Sequence, residues 1–194
     1  MSSVDSGRPS VVAVVGSPRR RGNTAALVEI SLAELAAAGA RCETIELSGL
    51  NIAPCLAHAT CGDLAACALD DDAAAALESV YAADCLVLGS PVYYENVSAQ
   101  MKAFIDRNLY PYYHGRQLPA KAVGLVAVTA ETGLQETLDA LRRYVALSSD
   151  GDAPVFTCGG YADEAGAAAR DEGLVADARA LGRALAEALG LSPA

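Results

Sequence analysis

Hydrophobic and polar positions run in blocks along this chain, and the period changes from block to block. Val11-Val12-Ala13-Val14-Val15 is a continuous apolar run, mostly β-branched. Such a run predicts a strand covered on both faces. From Thr24 to Ala38 the apolar residues recur at helical spacing, and Gly39 marks the stop. Arg41 to Leu47 alternates polar and apolar residues, as a strand near a sheet edge does. Ser48 to Asp72 shows no regular period. Ala73 to Ala82 reads as a short helix with Asp72 as N-cap, and Asp70 and Asp71 favour its first turn. Asp84 to Gly89 and Lys121 to Thr129 predict two further buried strands. Ser90 to Ser98 reads as a loop, and Ala99 to Asn108 and Gln135 to Ala146 as helices. Val155 to Cys158 is a short last strand, and Ala165 to Leu189 closes the chain as one long amphipathic helix.

Strands alternating with helices predict a parallel sheet covered on both faces. No repeat or linker divides the chain, so residues 10–194 read as one domain behind a polar tail, residues 1–9. Five strands at this length predict a doubly wound α/β fold in the flavodoxin-like order 2-1-3-4-5, whose switch point lies between strands one and three. The loops after those two strands, Gly16 to Asn23 and Ser90 to Ser98, then converge where ligands bind in such folds. The first loop brings Ser17, Arg19, Asn23 and Thr24 to a helix N-terminus. Outward N–H groups, the helix dipole and a forked cation together suit a phosphate. It carries neither the Walker pattern nor the G-x-G-x-x-G fingerprint. The second loop carries Pro91, Tyr93, Tyr94 and Asn96, which suit a flat ring with a polar edge. A phosphate plus a planar ring describes a mononucleotide, and FMN is the candidate. The plainer alternatives are an ordinary turn with solvated arginines and tyrosines that merely pack.

Composition narrows the partners. Of the 194 residues 53% are hydrophobic and 20% charged, which places the chain among globular proteins. A net charge of -10 argues against nucleic acid as the main partner. The polar start lacks the apolar core of a signal peptide, and no stretch reaches the length of a membrane span. A cytoplasmic protein follows, with its six cysteines reduced or ligating rather than paired. Cys42, Cys85 and Cys158 fall in predicted strands and read as core residues.

Two motifs carry a resemblance. Ser90-Pro91-Val92-Tyr93 with Ser98-Ala99-Gln100-Met101-Lys102-Ala103-Phe104-Ile105-Asp106-Arg107 resembles the signature of the NADPH-dependent FMN reductase family. Gly16-Ser17-Pro18-Arg19 with Gly22-Asn23-Thr24 resembles that family's phosphate loop. The similarity runs from Val11 to about Gly160. It implies non-covalent FMN, with Ser17, Arg19, Asn23 and Thr24 on the phosphate and Pro91, Val92, Tyr93 and Tyr94 along the ring. Asn96 and Ser98 complete the polar contacts, and Thr129, Glu131 and Gly133 lie on the loop that closes the ring's other side. The resemblance also implies NAD(P)H as co-substrate and hydride passing through FMN to a small acceptor (flavin, quinone, or nitro or azo aromatic). No side chain is needed as a dedicated acid or base, because the chemistry is the cofactor's. A homodimer or homotetramer is implied, and Tyr110 to His114 suits a subunit interface or substrate wall. Two other classes remain: a flavin electron-transfer protein, and a binding protein that keeps the fold without the cofactor.

Within the family, Ile52-Ala53-Pro54-Cys55 and the run to Asp72 resemble the iron–sulfur flavoprotein branch, where four cysteines hold a [4Fe–4S] cluster. Here the run reads Cys55-x2-His58-x2-Cys61-x5-Cys67, with His58 where the second cysteine would stand. Three cysteines and one histidine suit a cluster incompletely, zinc in a Cys3His set, or a loop that has lost its metal.

Overall fold

The computed structural model describes residues 7–192, so the first six residues of the polar tail lie outside the described residues. Five parallel strands form the sheet: β1 (Ser10–Val15), β2 (Arg41–Glu46), β3 (Cys85–Tyr93), β5 (Ala122–Thr129) and β6 (Val155–Tyr161). Their order is β2-β1-β3-β5-β6, and a short β4 (Asn96–Val97) pairs antiparallel with the end of β3. The parallel strands therefore follow the doubly wound order read from the sequence, with one hairpin strand added. The chain has the flavodoxin-like fold.

Strand geometry explains the continuous apolar runs. Successive side chains point to opposite faces, so a strand covered on both sides must be apolar at every position. Val12 and Val14 enter a core with Leu86, Phe104 and Leu141, while Val11, Ala13 and Val15 enter another with Leu27, Leu35 and Leu181. Helices α2 (Ala73–Val80), α3 (Ala99–Arg107) and α5 (Leu134–Ser148) supply the first core. Helices α1 (Asn23–Ala37) and α7 (Glu172–Ala188) supply the second. Edge strand β2 exposes Arg41, Glu43 and Thr44 and buries Ile45, so it is covered far less than the inner strands.

Several boundaries differ from the sequence reading. Strand β3 continues four residues past Gly89, and Ser90 to Ser98 is a hairpin rather than an open loop. Its turn residues, Tyr94 and Glu95, carry φ of +51° and +58°. Tight hairpin turns of this kind are ordinarily signalled by Asn-Gly, and Tyr-Glu gives no such signal. The closing helix breaks into α6 (Ala167–Arg170) and α7, because Asp171 accepts a hydrogen bond from the Leu174 N–H and starts a new helix. A helix α4 (Leu109–Tyr113) follows α3 directly and takes up the tyrosine tract. Among the described residues no helix is long and apolar enough to cross a membrane.

All six cysteines are free, and Cys85 and Cys158 are buried core residues, as read from the sequence. Burial pushes the Cys85 thiol up to about 12 and the Cys158 thiol to about 11. Such thiols stay protonated and inert.

Asp84 ties the starts of three strands together. Its carboxylate accepts the Ser10 N–H and hydroxyl, each at 2.9 Å, and the Lys121 ammonium at 2.9 Å. The Ser10 N–H is the largest of several contacts that hold its pKa down to about 2. A carboxyl near 3.9 when unfolded contributes stability above that value and loses it as pH falls toward 2. Asp84→Asn is therefore expected to flatten the fall of melting temperature between pH 5 and pH 2. An unchanged slope would show that Asp84 does not govern acid sensitivity.

Candidate functional site

A cavity of about 190 Å3 opens at the carboxyl ends of β1, β3 and β5. One wall is the loop after β1. There the Ser17 hydroxyl donates to the Arg19 carbonyl at 2.9 Å and accepts the Arg19 N–H at 3.1 Å. The Gly22 N–H closes the same loop on the Arg19 carbonyl at 3.0 Å. Gly22 must be small, since a Cβ there would lie 2.9 Å from the Ser17 Oγ. Gly22 is also the N-cap of α1 and offers no side-chain cap, so the first-turn N–H groups are left for a ligand or water. The Arg19 side chain is exposed beside them. This end is preshaped for an anion.

The opposite wall comes from Pro91, Val92 and Tyr93, with Thr129 and Ala130 at the rim. Tyr93 is exposed and Tyr94, at the hairpin tip, projects fully into solvent. The Thr129 hydroxyl donates to the Thr132 carbonyl at 2.5 Å and accepts the Glu131 N–H at 3.3 Å, which folds the loop after β5 back on itself. Gly133, the N-cap of α5, has φ +80° and seats the hairpin: a Cβ there would lie 2.4 Å from the Glu95 Cα. The β3–β4 hairpin and the β5–α5 loop are thus packed on one another.

The structure divides the expected residues by what they can reach. Ser17, Arg19, Asn23, Thr24, Pro91, Val92, Tyr93 and Thr129 line the cavity. Tyr94 and Glu131 line an adjoining one. Ser98, Asn96 and Gly133 line neither. Ser98 is fully buried; its hydroxyl donates to the Gly16 carbonyl at 2.6 Å and accepts the Met101 N–H at 3.1 Å. It caps α3 and clamps the two loops together, and its hydroxyl has no path to a ligand. The Asn96 Oδ1 accepts the Val97 N–H at 2.8 Å and serves the hairpin.

Asn23 reaches the cavity but its side chain is taken. Its Nδ2 donates to the carbonyls of Ala162 at 3.2 Å and Glu164 at 2.8 Å, and its Oδ1 accepts the Ala168 N–H at 3.3 Å. These bonds pin the segment after β6 against α1 and bring Ala162 and Asp163 into the cavity wall. Sequence reading missed both, because it ended the last strand at Cys158; the observed strand runs on to Tyr161. The Gly159-Gly160 pair, which a strand interior rarely carries, was the only local mark of close packing there.

The cysteine stretch is organised by Arg107. This side chain is 2% exposed and its Nη1 lies 2.5 Å from the Asp71 carboxylate. Nη1 also donates to the Ala53 carbonyl at 3.2 Å, and Nη2 to the Cys67 sulfur at 3.2 Å. Asp71 accepts the backbone N–H groups of Ala53 and Ala73 as well. Burial pushes the Asp71 pKa up, yet the Arg107 hydrogen bond and these N–H groups outweigh it and hold the carboxyl below its ordinary value. Asp72 leaves α2 without a side-chain cap and instead accepts the Asn51 N–H at 2.7 Å. Asp72 is the N-cap residue of α2 by position, but its side chain ties the loop, and it is Asp71 that accepts the first helical N–H. His114 joins this scaffold, with Nε2 3.0 Å from the Leu64 carbonyl. Cys55, Cys61 and Cys67 are half-buried in the same loop, and His58 is exposed. Among the described residues no three such ligands stand in an arrangement that could hold a metal.

The sequence profile of the NADPH-dependent FMN reductase family matches residues 9–157. The chain belongs to that family. An iron–sulfur flavoprotein of Archaeoglobus fulgidus is 39% identical over 125 residues, covering 64% of this chain and 56% of that protein. The iron–sulfur flavoprotein MJ1083 of Methanocaldococcus jannaschii is 41% identical over 128 residues, covering 66% of each. The matches thus span between about half and two thirds of these relatives. An NAD(P)H:quinone oxidoreductase from Methanothermobacter marburgensis has the same fold, with a TM-score of 0.72 at 17% identity over 92% of this chain and 98% of that one. At this identity the likeness is one of fold, and in this chain the loops described above lie at the switch point of the sheet.

Proposed function

We propose that the protein binds FMN at the switch point and acts as an NAD(P)H-dependent oxidoreductase toward a small acceptor. One observation carries this: the two loops that bear the family motifs meet in a single cavity, anion-shaped at one end and aromatic at the other. The residues fit the cofactor. The first-turn N–H groups of α1 and the Arg19 guanidinium would hold the phosphate, with Ser17 and Asn23 shaping the loop that presents them. Val92, Tyr93 and Tyr94 would line the ring, and the loop from Thr129 to Gly133 would bound its other side. FMN, when bound, supplies hydride acceptance and donation; the protein supplies orientation and surrounding charge. The exposed face at Tyr93 leaves room for two substrates to visit in turn. Adding FMN is expected to raise the melting temperature, and NAD(P)H to bleach the flavin absorption anaerobically. A protein that neither gains stability nor bleaches does not have this function.

A second reading, flavin-linked electron transfer with a [4Fe–4S] cluster, is favoured by the names of the two relatives. The residues present do not fit the cluster as arranged. One of the four positions is His58, and among the described residues no three candidate ligands stand together as a metal site. Iron analysis of anaerobically purified protein decides between the readings: a flavin-only spectrum is expected, and stoichiometric iron would make electron transfer the function.

A further inference from the structure

The cleft has a second limb. It is a cavity of about 350 Å3 that shares Val92, Thr129 and Ala130 with the first and is walled by Tyr94, Glu95 and Glu131. The two carboxylates arrive from different loops, Glu95 from the β3–β4 turn and Glu131 from the β5–α5 connection. Neither forms an ion pair among the described residues, and no lysine or arginine lines this limb. The first limb, by contrast, carries both Arg19 and Asp163.

The backbone at Glu95 is unusual. Tyr94 and Glu95 are consecutive residues with positive φ in a turn where Asn-Gly would sit without strain. Strained, side-chain-bearing residues of this kind cluster where the side chain has a task. Gly133 is the seat that lets the turn close, since any larger residue would strike the Glu95 backbone.

We propose that Glu95 and Glu131 are specificity-determining residues that admit uncharged or cationic flat acceptors and turn anionic ones away. This deepens the oxidoreductase reading above and rests on it. Two carboxylates beside one limb repel a sulfonate, carboxylate or phosphate carried on an acceptor, while the Tyr94 face accepts a neutral ring. Both glutamates are exposed, so water and salt weaken the repulsion to about tenfold in total. Neutral quinones and nitroaromatics fit the limb; free FMN and sulfonated azo dyes do not.

The test uses FMN-loaded protein and two matched probes, 1,4-naphthoquinone and its 2-sulfonate. The ratio of kcat/KM for the sulfonate over the neutral quinone is measured in wild type and in Glu95→Gln/Glu131→Gln. Calorimetric titration of the oxidised protein with the same quinones gives the affinity ratio without turnover. Both ratios are expected to rise about tenfold in the double variant, and added NaCl is expected to raise them in wild type alone. Should the double variant fold poorly, Glu131→Gln on its exposed loop is expected to show roughly half of the logarithmic effect. Ratios insensitive to substitution and salt would overturn the proposal, as would failure of the neutral quinone to bind. Failure of NAD(P)H to bleach the flavin defeats the oxidoreductase reading separately, and the titration still decides the charge preference.

Discussion

Arg107→Leu is expected to lower stability by about 3–5 kcal/mol, because it strands the Asp71 carboxylate in a buried site. For a domain of this size that corresponds to a fall in melting temperature of roughly 10 °C. The side chains of Arg107 and Asp71 are 2% and 5% exposed, so water cannot take over the lost contacts. The loss also unties the loop, since the same guanidinium holds the Ala53 and Leu69 carbonyls and the Cys67 sulfur. Limited proteolysis should accelerate near Leu56 to Ala59, where the loop is already exposed. Replacing both partners, Arg107→Leu with Asp71→Leu, removes the buried charge along with its counterion and is expected to recover a large part of the loss. A melting temperature within about 2 °C of wild type for the single variant would show that the pair does not carry the loop.

Arg19→Ala and Asn23→Ala are expected to weaken FMN binding for different reasons. Arg19 is exposed beside the uncapped start of α1, so its removal costs the ligand a charge-assisted bond and costs the fold little. A loss of about 1.5–3 kcal/mol corresponds to roughly a ten- to hundredfold weaker Kd. The melting temperature without FMN should stay near that of wild type. Asn23→Ala breaks three hydrogen bonds to the segment after β6 and should lower that melting temperature as well as the affinity. Titration with FMN beside thermal unfolding separates the two. Loss of affinity with unchanged stability at Asn23 would mean that its amide turns to the ligand instead. Unchanged affinity at Arg19 would remove that side chain from the phosphate site.

Much of the architecture is legible along the chain because it rests on local periodicity. A strand covered on both faces must be apolar at successive positions, and Val11 to Val15 and Ala122 to Thr129 are. A helix with one buried stripe must repeat near every 3.6 residues, as α1 and α5 do. Given five such strands alternating with helices, the position of the switch point follows from the handedness of parallel crossovers. The convergence of the loops at Gly16 and Ser90 was readable for that reason.

What escaped the sequence depends on partners far along the chain. Asn23 and Ser98 have the chemistry of phosphate or ring ligands, yet their bonds run to residues 139 to 145 positions away and 82 positions away. Nothing local distinguishes an amide that holds the fold from one that is free for a ligand. Arg107 sits in a helix motif, and only its meeting with Asp71, 36 positions earlier, makes it the clamp of the cysteine loop. The hairpin at Tyr94 and Glu95 forms against local preference because Val92 pairs with Val97 and the turn rests on Gly133. Apolar periodicity therefore determined the sheet, its covering helices and the place of the cleft. Tertiary packing alone decided which polar side chains the fold consumes, since a hydrogen bond takes its partner from three-dimensional proximity, whatever the distance in sequence.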